Sequence, residues 1–167
     1  MPPSEYSFRL QHGKSPPPPH LSPTQTDPLI TGIAGGFAPP TPSAIYTKTA
    51  ALNLPHLTIT SALRPHGTPT LLDSPHKSLP TADAEAATLV DELHGILRAI
   101  PTEVPPGSED IYGLDTSIAW GSEDLQWMNG GPQGCGGGRS EVRASEEEKG
   151  KFRRAVEIVN RLVEKAA

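Results

Sequence analysis

The chain has 167 residues, among them 20 prolines and 16 glycines, with 35% hydrophobic residues and a formal net charge of −5. This length sets about one domain with a modest core. The acidic balance counts against nucleic-acid binding, and no apolar run nears the roughly 18–20 residues of a membrane span. The amino-terminal residues lack the continuous apolar stretch of a secretory signal, and the single Cys135 permits no intrachain disulfide. Together these features point to a cytoplasmic protein.

Residues 1–28 contain eight prolines, four of them consecutive at Pro16 to Pro19. Proline fixes φ and lacks an N–H, so the run favours polyproline II over helix or sheet. Residues 1–28 therefore read as a disordered Pro-rich tail, with a PxxP ligand at 16–19 as an alternative role. The domain proper, 29–167, opens with a strand at Leu29 to Ile33, followed by Gly35, Gly36 and Phe37. Two further strands are expected at Ala44 to Thr49 and Leu57 to Leu63, where β-formers gather. Residues 64–80 read as loop around four prolines, with a short strand near Thr70 to Leu72.

A helix is predicted from Thr81 or Asp83 to Ala99. Ala86, Leu89, Val90, Leu93, Ile96, Leu97 and Ile100 recur at helical spacing, and Pro101 stops it. A strand from Tyr112 to Trp120 alternates cleanly, and a turn at Gly121 to Asp124 returns it through Leu125 to Trp127 as a hairpin. Residues 129–138 hold six glycines and read as a flexible loop. Ser145 with Glu148 forms a capping box that starts a last amphipathic helix along Phe152, Ala155, Val156, Val159, Leu162 and Val163. The expected fold class is α+β: a mostly antiparallel sheet with two amphipathic helices on one face.

Candidate chemistry is sparse. The six histidines have no metal-ligand spacing, so no metal and no cofactor are expected. Cys135 lies in the glycine loop without a histidine nearby in sequence, and a small enzyme built on Asp115 and Cys135 is a minor alternative. No Lys or Arg stands between Arg98 and Arg139, while Glu103, Glu109, Asp110, Asp115, Glu123 and Asp124 do. Such an acidic face would suit a basic partner, although carboxylates in turns also serve solubility and local hydrogen bonding.

The order "ITGIAGGF", "AEAATLVDELHGILRAIP", "PPGSEDIYGLDTSIAWG" and "FRRAVEIVNRLV" resembles the emfourin family across residues 29–165. Residues 1–28, the stretch 53–80 and the glycine loop depart from that pattern. The resemblance implies a non-catalytic protein, not an enzyme, that inhibits a thermolysin-like metallopeptidase by docking in its active-site cleft. Gly35, Gly36, Phe37, Pro39 and Pro40 are then the candidate partner-binding residues, with Phe37 as apolar anchor and the prolines limiting loop entropy. The alternative is an intracellular interaction module for another protein.

Overall fold

The computed structural model describes residues 5–12, 44–50, 56–64, 70–80, 82–130 and 139–166. They form an antiparallel sheet of seven strands and two helices, an α+β fold. The strands are β1 (Tyr6–His12), β2 (Ala44–Ala50), β3 (His56–Leu63), β4 (Leu72–Asp73), β5 (Lys77–Pro80), β6 (Thr116–Ser122) and β7 (Gln126–Met128). The helices are α1 (Ala84–Ala99) and α2 (Glu146–Lys165). Across the sheet the order is β4-β3-β2-β1-β6-β7, and β5 also pairs with β3.

Strand β1 corrects the reading of residues 1–28 as a tail at residues 6–12, while residues 13–28 lie outside the described residues. Residues 6–12 lie in the middle of the sheet, paired on one side with β2 and on the other with β6. Tyr6, Phe8 and Leu10 are buried and alternate with the more exposed Ser7, Arg9 and Gln11, a period-2 pattern that the neighbouring prolines overshadow. The predicted strand at 29–33 lies outside the described residues. In β5, Pro80 is tolerated because it closes a strand at the sheet edge, and the buried Leu79 supplies its core contact.

Strand β6 starts later than the alternation predicts. Asp110 captures the backbone N–H groups of Tyr112 (3.1 Å), Gly113 (2.9 Å) and Asp115 (2.8 Å), which bends residues 112–115 into a turn. Gly113 (φ 70°) and Asp115 (φ 47°) take the left-handed conformation there. The predicted hairpin does form, with Trp120 directly opposite Trp127. Asn129, read as the first residue of the flexible loop, is buried and clamps β6. Its side chain accepts from Ile118 N at 2.8 Å and donates to Thr116 O at 3.1 Å.

Both helices match their predicted caps. Asp83 accepts from Ala86 N at 2.9 Å, and Ser145 and Glu148 form the reciprocal capping box. Leu89, Val90, Leu93 and Leu97 of α1 meet Phe152, Ala155, Ile158, Val159 and Leu162 of α2 over Phe8, Leu10, Ile59, Ile118 and Trp120 of the sheet. On the solvent side, carboxylates of α1 hold cations of α2: Glu92 with Arg154 at 2.7 Å and Glu85 with Arg161 at 2.5 Å. Water screens such exposed pairs, so the apolar seam between the helices dominates. Among the described residues no helix is long and apolar enough to cross a membrane.

Candidate functional site

The register of the sheet brings His12, at the end of β1, beside Ala44 of β2 and Thr116 of β6. A polar cluster forms at this end. The Thr116 hydroxyl donates to Leu114 O at 2.9 Å, so its oxygen is left to accept from His12 Nδ1 at 3.2 Å. Tyr46 presents its ring edge-on to the imidazole, with centroids 6.3 Å apart. Burial pushes His12 below the usual imidazole range, partly opposed by a hydrogen bond that the Asn160 side chain accepts from the imidazole and by the nearby Asp115 charge. Burial likewise raises Tyr46, helped by the Glu164 charge. Thr116 has committed its proton to a backbone carbonyl, so this arrangement fixes a strand end and does not activate a hydroxyl.

That strand end is where the described part of β1 stops before residues 13–43. Residues 13–43 join His12 to Ala44, which sit directly opposite each other on adjacent central strands. The candidate residues Gly35, Gly36, Phe37, Pro39 and Pro40 belong to this connection and lie outside the described residues, as does Cys135.

The acidic interval has structural partners in the fold. Glu103 is buried and its carboxylate accepts from Gly107 N at 2.9 Å and Gly130 N at 2.6 Å. Glu109 accepts from Ser140 N at 2.9 Å, and Asp110 holds the 112–115 turn. These groups tie the proline-glycine loop to the ends of the hairpin and to the segment before α2. The uniform acidic face is thereby broken up, because each of these carboxylates faces a backbone donor.

One constellation resembles a catalytic relay and fails it on geometry. Ser122 Oγ donates to Asp124 Oδ1 at 2.8 Å, and His94 Nε2 stands 3.1 Å from Asp124 Oδ2 without hydrogen-bond alignment. Here the carboxylate lies between serine and histidine, whereas nucleophile activation needs the histidine in the middle. Arg98 also binds Asp124, at 3.1 Å. The Ser122 hydrogen bond and the His94 and Arg98 charges hold Asp124 below the usual carboxylate range. Its chemistry is that of a tether between the hairpin turn and α1. Among the described residues no three His, Cys, Asp or Glu side chains stand together as a metal site.

Two features escape reading along the sequence. Lys48 points into the core, 1% exposed, with Nζ 5.5 Å from the Phe8 ring centroid and no hydrogen-bond partner. Burial pushes its ammonium down to about 7. Within β2, Lys48 shares the core face with Ala44 and Tyr46. The second feature is the opposite face of the sheet, where Ala119 and Gly121 floor a groove of about 480 Å³ bordered by Arg9, Thr47, Gln126 and Met128. Their convergence depends on strand register, which no single segment encodes.

No family model, curated protein or solved structure matches the chain.

Proposed function

We propose that this chain is a non-catalytic docking protein of emfourin type, which inhibits a thermolysin-like metallopeptidase through the connection between β1 and β2. One observation carries the reading: the segment holding Gly35, Gly36, Phe37, Pro39 and Pro40 leaves and re-enters the sheet at the paired residues His12 and Ala44. Both belong to central strands whose inner faces are packed under two helices. A protein inhibitor needs no reactive group. It needs a surface held by a stiff support, so that little conformational freedom is lost on binding. The His12–Thr116 hydrogen bond supplies such a support at the root of the connection. The order of strand, acid-rich helix, proline-glycine loop, hairpin and closing helix adds to this reading.

The test is a titration of a thermolysin-like protease with the full chain, following hydrolysis of a peptide substrate. Stoichiometric inhibition is expected, with Phe37→Ala weakening it while the folded state is retained. Full protease activity at a large molar excess of the chain would sink the proposal.

A further inference from the structure

We infer that the face of the sheet that no described element covers is a second docking surface, a groove along β6 that takes an extended segment of a partner polypeptide bearing a glutamate side chain. The argument starts from register. Arg9, Ala119 and Met128 are direct cross-strand neighbours on β1, β6 and β7, in one row across the outer face. Neighbouring strands lie about 4.8 Å apart, so the methyl group of Ala119 is a low point between a guanidinium on one side and a thioether on the other. The next row along β6 is lower still. Gly121 has no side chain, and Ser7 and Gln126 flank it. A β-carbon added at Gly121 would stand 3.3 Å from Gln126 Oε1 and 3.6 Å from Ser7 Oγ, so the end of the Gln126 side chain lies against this floor and would have to shift by a few tenths of an ångström to admit a methyl group.

The walls specify the occupant. Met128 is 53% exposed, a large apolar group that no described element covers. Arg9 is exposed, and its polar contact is a long 3.4 Å approach to Gln11 Oε1. By contrast Arg98, Arg154 and Arg161 each hold a carboxylate within 3.1 Å. A glutamate over Ala119 satisfies both walls: its methylenes lie against Met128 and its carboxylate meets the guanidinium in a bidentate pair. An extended peptide fits the rest, because its side chains recur about every 7 Å on one face, the spacing between the Ala119 row and the Gly121 row, and the second row offers the polar Ser7 and Gln126. The Arg9–Ala119 pair lies three residues along β1 from the His12–Thr116 pair, where the described part of that strand ends.

The experiment uses the full chain and fluorescein-labelled Ser/Thr peptides with a central Glu, Gln or Lys, read by fluorescence anisotropy. The Glu peptide is expected to saturate below about 1 mM, and the Gln and Lys peptides to bind at least tenfold more weakly. Arg9→Gln on the protein should cause a similar loss, Arg9→Lys a smaller one, and Ala119→Arg should abolish binding by filling the floor. Raising NaCl from about 0.05 to about 0.5 M should weaken the Glu peptide selectively. Equal affinity for the Glu and Gln peptides, or no binding at about 1 mM, would overturn the inference. So would a self-associated chain that Met128→Lys dissociates, because a second copy would then be the occupant.

Discussion

On the inner face of the sheet Tyr6, Phe8 and Trp120 stack on one another, with centroids 5.3 Å apart for Tyr6–Trp120 and 5.5 Å for Phe8–Trp120. On the outer face the same two strands present Ser7, Arg9, Ala119 and Gly121. Each strand therefore serves two environments at a period of two residues, and the difference lies in what a substitution disturbs. An inner side chain is bounded by two helices that cannot follow a lost ring inward. An outer side chain has water on one side and loses little when shortened.

The largest effect that would sharpen this contrast is Trp120→Ala. Its ring packs on Tyr6, Phe8 and His94 and its Nε1 donates to Ser122 Oγ at 3.0 Å. Loss of about 3–5 kcal/mol is expected, seen as a lower urea midpoint. A loss below about 1 kcal/mol would mean that the stack is not the keystone of the core.

Lys48 is where the inner face departs from its own rule. Burial makes its folded ammonium give up a proton at about 7, against an ordinary 10.5. Between those values the unfolded chain holds a proton that the folded chain lacks, so stability rises with pH, by up to about 1.4 kcal/mol per pH unit. Below about pH 7 both states are protonated and this dependence vanishes. Burial raises Tyr6 to about 12 and Tyr112 further, so above pH 10 unfolded phenols ionise first and stability falls again. Lys48→Met should remove the rising limb, keep the fall above pH 10, and stabilise the protein at pH 7 by on the order of 1–3 kcal/mol. Urea midpoints across the pH range check this, and a rising limb that survives in the variant would assign it to another group.

Glu103 is the instructive opposite of Lys48: buried, polar and satisfied. Its Oε1 accepts from the N–H groups of both Gly107 and Gly130, joining the 101–115 loop to the end of β7. Glu103→Gln keeps the shape and weakens the acceptor, at a cost of about 1–2 kcal/mol, and Glu103→Ala should cost more by leaving two N–H groups unpaired. Hydrogen exchange at Gly107 and Gly130 would accelerate in both variants before the helices respond.

Much of the architecture is legible in the sequence for physical reasons that can be named. Helices α1 and α2 announce themselves because a stripe at i, i+3, i+4, i+7 and an Asp or Ser cap act within one segment. The Trp120–Trp127 pair follows from a short turn between alternating runs. Strand β1 was hidden although Tyr6, Phe8 and Leu10 alternate, since neighbouring prolines dominate the composition of residues 1–28 while register with β2 and β6 decides the fold. Residues 112–115 mislead in the other direction: their alternation is good, but the Asp110 carboxylate offers the backbone three hydrogen bonds that a strand would have to give up. The groove between Arg9 and Met128 is beyond any single segment, because those residues are 119 positions apart and meet only through the pairing of β1 with β6 and β6 with β7.

The smallest expected effect lies on the outer face. Thr47 stands opposite Thr60 and Thr49 opposite Thr58, four half-buried or exposed β-branched residues in adjacent rows of β2 and β3. Their branched side chains suit a pleated surface, and each pair contributes a few tenths of a kcal/mol. Thr60→Ala and Arg9→Gln should each change stability by less than about 0.5 kcal/mol. The comparison becomes sharp when the two are read together. Thr60→Ala, away from the groove over Ala119, should leave both stability and binding of the Glu peptide unchanged, whereas Arg9→Gln should leave stability unchanged and weaken that binding at least tenfold. A face kept polar merely to stay soluble would tolerate both substitutions in both assays. Separation of the two variants in the binding assay alone would therefore show that Arg9 is placed for a partner, since its removal would cost the fold nothing.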